Sequence, residues 1–310
     1  MNITNISRVL ITWPRFQHLQ SSKRYTLRSS NNSNIQALWS LTNKENVRAD
    51  SLLIKDPYTV ALHKLSEEQT GEATNHILSL KIQGLATKAV MESISPKNIK
   101  RWHQMTLTLP GFLFNFIRKA LQSQLPTMAN LNRWGRADTN LCPLCNNIQT
   151  NKHVFSNCSN AVSLKRYTER HNKILYLLAC WIQEKMDRHS KLFVDLPGFN
   201  QTEDIFNNIR PDMVIIKNNI GCVIELTICH ETNLTSSKKY KEEKYRDLNK
   251  LKSQQVKNIK FSLSTCEVSV LGLINFYVTS MAAFGIKDLD QNLSDTLAKK
   301  HSILLWYLRA

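Results

Sequence analysis

Three cysteines and a histidine fall within seventeen residues of this chain, CPLCNNIQTNKHVFSNC, spaced Cys142-x2-Cys145-x7-His153-x4-Cys158. No other stretch restricts the fold so strongly. Two cysteines two residues apart can grip one ion across a tight turn. A His and a Cys from the next short segment then complete a tetrahedron of nitrogen and sulfur donors, the set zinc prefers. With all four positions filled by protein, none is left for water, so Zn²⁺ here is structural and supplies much of the module's folding free energy. The spacing predicts a zinc knuckle over residues 141–160, with Lys152 and its polar neighbours suited to a phosphate backbone. The remaining cysteines, Cys180, Cys222, Cys229 and Cys266, stand singly in apolar surroundings. With an odd total of seven, they read as reduced core thiols and not as a disulfide framework.

The rest of the chain must be folded around that module. Its 310 residues suffice for two modest domains, and 42% hydrophobic content is ordinary for a folded protein. The formal charge of +17 favours a polyanionic partner, either nucleic acid or an anionic membrane surface. The first 44 residues carry no Asp or Glu, a composition compatible with a mitochondrial transit peptide. Val268 to Ile286 carries no charge over nineteen residues, close to bilayer length, yet Gly272, Asn275, Thr279 and Ser280 interrupt it. The expectation is a buried strand turning into a core-facing helix, with no stable membrane association.

Periodicity divides the chain further. Residues 1–94 are polar and irregular, partly disordered, with no assignable chemistry. Helical spacing starts near Lys97 and runs to Gln124, with Phe112, Phe116 and Ala120 on one face and Leu113, Ile117 and Leu121 beside it. Residues 95–140 thus read as a helical linker. Leu164 to Met186 is expected to be one long helix burying Leu164, Tyr167, His171, Leu175, Leu178 and Ile182. Two apolar runs follow, Met213–Ile216 and Cys222–Ile228, separated by Asn218-Asn219. Asn tolerates the left-handed backbone of a tight hairpin. A charged helix over Thr235–Lys257, a strand over Phe261–Leu273 and a final helix complete a mixed α/β domain over residues 161–310.

The hairpin carries a second chemistry. In a two-residue turn at Asn218-Asn219, residues whose numbers sum to 437 lie opposite each other, and Asp212 with Glu225 is such a pair. Their Cβ atoms are then roughly 5 Å apart, and like charges so placed call for a compensating cation. Carboxylate oxygens suit Mg²⁺, which keeps several waters and reaches a substrate phosphate. On the next helix Lys241, Lys244, Tyr245 and Leu248 share a stripe, so both lysines can point toward the carboxylates. A metal-bound hydroxide attacking a phosphodiester, with a lysine stabilising the developing charge, is a nuclease mechanism. The plain alternative is an acidic hairpin beside a solvated, salt-bridged helix face.

The order of these pieces resembles the C-terminal half of site-specific non-LTR retrotransposon proteins of the R-two clade, which carry a restriction-like endonuclease. LPTMANLNRWGR resembles the linker before the family's knuckle, and the CCHC spacing resembles the knuckle itself. Arg170-His171-Asn172 resembles its RHN motif, Arg210-Pro211-Asp212 with Glu225 its (R/K)PD…(D/E) core, and Lys241-x2-Lys244-Tyr245-x2-Leu248 its displaced lysine motif. VSVLGLI resembles the later strand behind the site. The resemblance spans about residues 105–290. It implies a PD-(D/E)xK fold, a mixed sheet flanked by helices, with Asp212 and Glu225 holding Mg²⁺. It makes Lys241 and Lys244 catalytic, and Arg170 an assistant in or near the DNA site. Thr227 stands where ordinary PD-(D/E)xK enzymes place their lysine, a departure the family shares. The family's polymerase signature, a pair of adjacent aspartates, does not occur here, so no reverse transcriptase activity is expected. The implied activity is nicking of a DNA target in the nucleus for target-primed reverse transcription, with element RNA as a second ligand. The alternatives are an inert zinc-knuckle module that binds DNA or RNA without cleaving it, and an adapted host protein. The cytoplasm is the alternative location.

Overall fold

Prolines and short polar caps set where the helices begin. The computed structural model describes residues 57–202, 205–207, 209–276 and 278–286, with Leu293, Asp295, Thr296 and Lys299 beyond. The acid-free N-terminal 44 residues and the expected final helix lie outside the described residues, apart from those four. The chain divides between Leu80 and Lys81 into two compact units. In the first, helix α1 (Pro57–Ser79) opens on a proline, whose fixed φ suits the first helical position. Sequence reading takes this region as irregular because its apolar residues are spread around the helix.

The second unit begins with α2 (Leu85–Ser93) and α3 (Pro96–Thr106). Ser95 caps α3 by accepting from the Asn98 N–H, and Pro96 takes its first position. Pro110 then ends any continuation, so the helix expected from Lys97 to Gln124 is two, the second being α4 (Gly111–Leu121). Leu113, Phe116, Ile117, Ala120 and Leu121 are buried, but Phe112 is 52% exposed. A short α5 (Met128–Arg133) leads into the cysteine segment. Asn160 then caps α6 (Ala161–Lys185), accepting from Val162 N–H at 2.9 Å. The buried stripe of α6 is Ile174, Leu175, Leu178, Ala179, Trp181 and Ile182, while Leu164 at its start is exposed.

A five-stranded sheet follows: β1 (Lys191–Val194), β2 (Met213–Lys217), β3 (Ile220–Cys229), β4 (Lys260–Ser269) and β5 (Ile274–Phe276), in that spatial order. Strand β4 pairs parallel to β3, and the other neighbours are antiparallel. A parallel pair needs a crossover. Here it consists of a 3₁₀ turn (Glu231–Asn233), α7 (Leu234–Lys244) and α8 (Leu248–Leu251), so the expected charged helix is broken into pieces. The hairpin register is the one that sums to 437, with Met213 opposite Ile224 and Lys217 opposite Ile220, and Asn218 has a φ of 53°. One face of the sheet packs Met213, Ile215, Ile224, Leu226 and Val268 on α6. The other packs Val214, Val223 and Phe261 with Tyr245 and Leu248. Covered on both faces, β3 reads as a nearly continuous apolar run. The architecture is mixed α/β.

Val268 to Ile286 is the end of β4, a turn, β5 and a 3₁₀ helix (Val278–Phe284), so a turn and a further strand stand between the buried strand and its helix. Leu271, Leu273, Ile274, Phe276, Met281 and Phe284 are buried there. Among the described residues no helix is long and apolar enough to cross a membrane. Residues 95–106, expected within a linker, dock on this sheet. The Trp102 indole N–H donates to Leu271 O at 2.9 Å and Asn98 Nδ2 to Ile274 O at 3.2 Å. Of the four single cysteines, Cys222, Cys229 and Cys266 are buried free thiols, but Cys180 lies on the outer face of α6 and is exposed.

Candidate functional site

The cysteine segment folds as a small hairpin. Leu141 bridges to Ile148, Asn146 takes a φ of 60°, and Cys142 N–H donates to Asn147 O at 2.7 Å. His153 opens a single π-helical turn (His153–Asn157) that returns Cys158 to the hairpin. The ligand atoms of Cys142, Cys145, His153 and Cys158 lie within 4.8 Å of one another. Cys145 Sγ is 3.3 Å from His153 Nε2 and 3.7 Å from Cys158 Sγ. A tetrahedral zinc with ordinary Zn–S bonds sets its sulfurs roughly 3.8 Å apart, so the donor set fits that ion. The Asn147 backbone N–H holds the Cys145 thiol below its usual range and burial lowers the His153 pKa, both toward the ligand form, whereas burial raises the Cys158 thiol.

Helix α6 ties this module to the sheet. The Tyr167 hydroxyl accepts from Cys158 N–H at 3.2 Å and donates to Val154 O at 2.9 Å. Its ring carries the Arg170 guanidinium, 5.3 Å from the centroid. Lys152, expected at a phosphate backbone, instead donates to Asn233 Oδ1 at 2.8 Å, joining the module to the crossover.

The second cluster lies at the hairpin's open end. Asp212 N–H donates to Glu225 Oε1 at 3.1 Å, and Leu226 N–H donates to Asp212 Oδ2 at 2.8 Å. Lys241, on α7, ion-pairs with Glu225 Oε2. The Tyr245 hydroxyl, one turn on, donates to Glu225 Oε1 at 2.5 Å. Burial and the neighbouring Glu225 push the Tyr245 phenol far above its usual range, so it stays a donor. From α6, His171 Nε2 approaches Asp212 Oδ1 at 3.6 Å. Burial would lower the His171 pKa, but the Asp212 carboxylate outweighs it and the net shift is upward. Glu225 is nearly sealed, its side chain 2% exposed, whereas Asp212 at 16% and Lys241 at 19% reach the surface.

Three of the expected residues thus meet: Asp212, Glu225 and Lys241. Lys244 does not reach a carboxylate; it donates to the Tyr245 hydroxyl at 3.2 Å and sits over that ring. Arg170 does not line the cleft either. It is 3% exposed, and burial lowers its pKa to about 10, so contact with DNA would require α6 to move. Sequence reasoning gave no site role to Tyr245 or His171. Both had a signal: Tyr245 lies four residues past Lys241 on the lysine stripe, and His171 belongs to the Arg170-His171-Asn172 motif, although it falls among the apolar positions of α6. The site offers two carboxylates, oxygen donors of the class that suits Mg²⁺, although Glu225 Oε1 already accepts from both Asp212 N–H and the Tyr245 hydroxyl.

Residues 89–164 match the family model described as zinc-binding in reverse transcriptase, a span that contains all four zinc ligands. The match supports a retrotransposon-type protein carrying a reverse-transcriptase-related zinc-binding module. A search of curated proteins finds no match.

Proposed function

We propose that the Asp212/Glu225 cleft is a Mg²⁺-dependent DNA endonuclease centre, in a chain representing the C-terminal part of an R-two-clade retrotransposon protein. One observation carries this reading. Lys241, from the helix that follows the second carboxylate strand, is seated on Glu225 directly beside Asp212. Asp212 and Glu225 would hold the ion, which when bound neutralises phosphate charge and activates a water. The chain's own groups do the rest. Leu226 N–H and the Tyr245 hydroxyl fix one oxygen of each carboxylate, keeping both oriented before any ligand arrives. The partly exposed Lys241 ammonium can transfer from Glu225 to a phosphate oxygen and stabilise charge that develops during attack. The +17 formal charge supports a nucleic-acid partner, the DNA target and element RNA being the two substrates that fit a nuclear, target-primed reaction.

A nicking assay on supercoiled plasmid tests the proposal. Wild type with Mg²⁺ should yield relaxed circles, and Asp212→Ala should yield none while still retarding the plasmid on a gel. Glu225 is already ion-paired with Lys241 and hydrogen-bonded by Tyr245, which favours a second reading, an inert binding module. Plasmid retarded but left intact by both proteins would establish that second reading and exclude the first.

A further inference from the structure

One step beyond Glu225 on the same face of β3 is Thr227, and the parallel register sets it opposite Glu267 of β4. Glu267 is 1% exposed, and neither of its carboxylate oxygens has a well-formed hydrogen bond, although the Thr265 hydroxyl stands near enough to act on them. The Thr227 hydroxyl, also closed to water, has no hydrogen-bond partner. A buried, unpartnered carboxylate facing an unpartnered hydroxyl marks a missing ion or water. Burial, the largest influence, holds the Glu267 acid above its usual range, although the nearby Thr265 hydroxyl opposes it. Thr265 stands opposite Glu225, adding a further oxygen on this face.

Lys238 and Glu242 of α7 both act on Glu267, and Lys238 reaches Glu242 at 4.0 Å. Lys241 is engaged with Glu225, and Lys244 with the Tyr245 hydroxyl.

We infer that Glu267, Thr227 and the adjoining side of Glu225 form a second divalent-cation position in the cleft, for a hard, oxygen-seeking ion such as Mg²⁺ or Mn²⁺. Carboxylate and hydroxyl donors without nitrogen or sulfur select that class over zinc. The inference rests on reading the cleft as one that takes divalent cations, and its test counts ions instead of nicks.

The zinc-loaded full chain is titrated with Mn²⁺, free ion being read by electron paramagnetic resonance. Wild type should take up two ions per chain, as two-metal phosphoryl-transfer sites do. Glu267→Gln should take up one, and Thr227→Val should weaken the second step about tenfold. A single ion on wild type, or an unchanged count in Glu267→Gln, overturns the inference and leaves Glu267 a neutral buried acid. Where Glu267→Gln does not fold, an unchanged second step in Thr227→Val overturns it equally. Asp212→Asn probes the other position independently: loss of the other ion upholds the carboxylate pair as a metal site, and an intact count removes Asp212 from it.

Discussion

The cysteine ligands and the facing carboxylates both bring like charges together, yet only one set comes with its own counter-charges. Around Asp212 and Glu225 the chain supplies Lys241, Tyr245, His171 and two backbone N–H groups. Around the cysteine sulfurs the contacts are neutral ones, the side-chain amides of Asn147 and Gln149 and the Asn147 backbone N–H among them. Neutral amides do not offset three thiolates. The module must therefore fold with its ion, whereas the carboxylate pair is held in shape by the chain's own groups.

The largest effect expected from this contrast is at the knuckle. Stripping zinc with a chelator, or Cys145→Ser, should forfeit binding energy on the order of 10 kcal/mol. Hydrogen exchange should then show residues 141–160 open while β2, β3 and β4 stay protected. Loss of protection across the sheet as well would break the contrast and make α6 a rigid coupler between the two regions. Next comes Glu225→Gln, which strands the Lys241 ammonium in a largely buried place. Urea unfolding should register a loss of about 3 kcal/mol, and an unchanged midpoint would mean that the cleft is not internally compensated. Tyr245→Phe removes one donor to a charged acceptor and should cost about 1.5 kcal/mol, while halting or slowing nicking through a loosened Glu225.

The smallest effect concerns pH. His171 has a folded pKa above its ordinary 6.5, so its pairing with Asp212 contributes stability that is complete below that value. That stability is lost as pH rises through the folded value. Without added Mg²⁺, the stability difference between wild type and His171→Gln should shrink from about pH 5.5 to pH 8. A difference that grows over that range would contradict the pairing.

Much of this was legible in the residues. The knuckle is local, its four ligands within one short segment, and spacing alone is sufficient. The hairpin register follows from Asn218, because a residue that accepts φ of 53° fixes the turn and the turn fixes every pair behind it. What escaped is what depends on distant chain. Strands β1 and β5 have four and three residues, too short for an alternating pattern. The Thr235–Lys257 stretch looks uniformly helical by charge, yet α7 ends at Lys244 and the chain re-enters the core through Tyr245 and Leu248. His171 sits where an apolar helix face predicts packing, and only the arrival of β2 makes it an Asp212 partner. Glu267 resembles any charged residue on a strand edge until β5 closes over it.

The parallel pairing of β3 with β4 also sets a schedule. During synthesis the two carboxylates emerge first, on a hairpin that can close by itself. Lys241 and Tyr245 follow on the crossover, which Lys152 already ties to the zinc module through Asn233. Strand β4 is made last of these pieces and closes the sheet beneath that crossover.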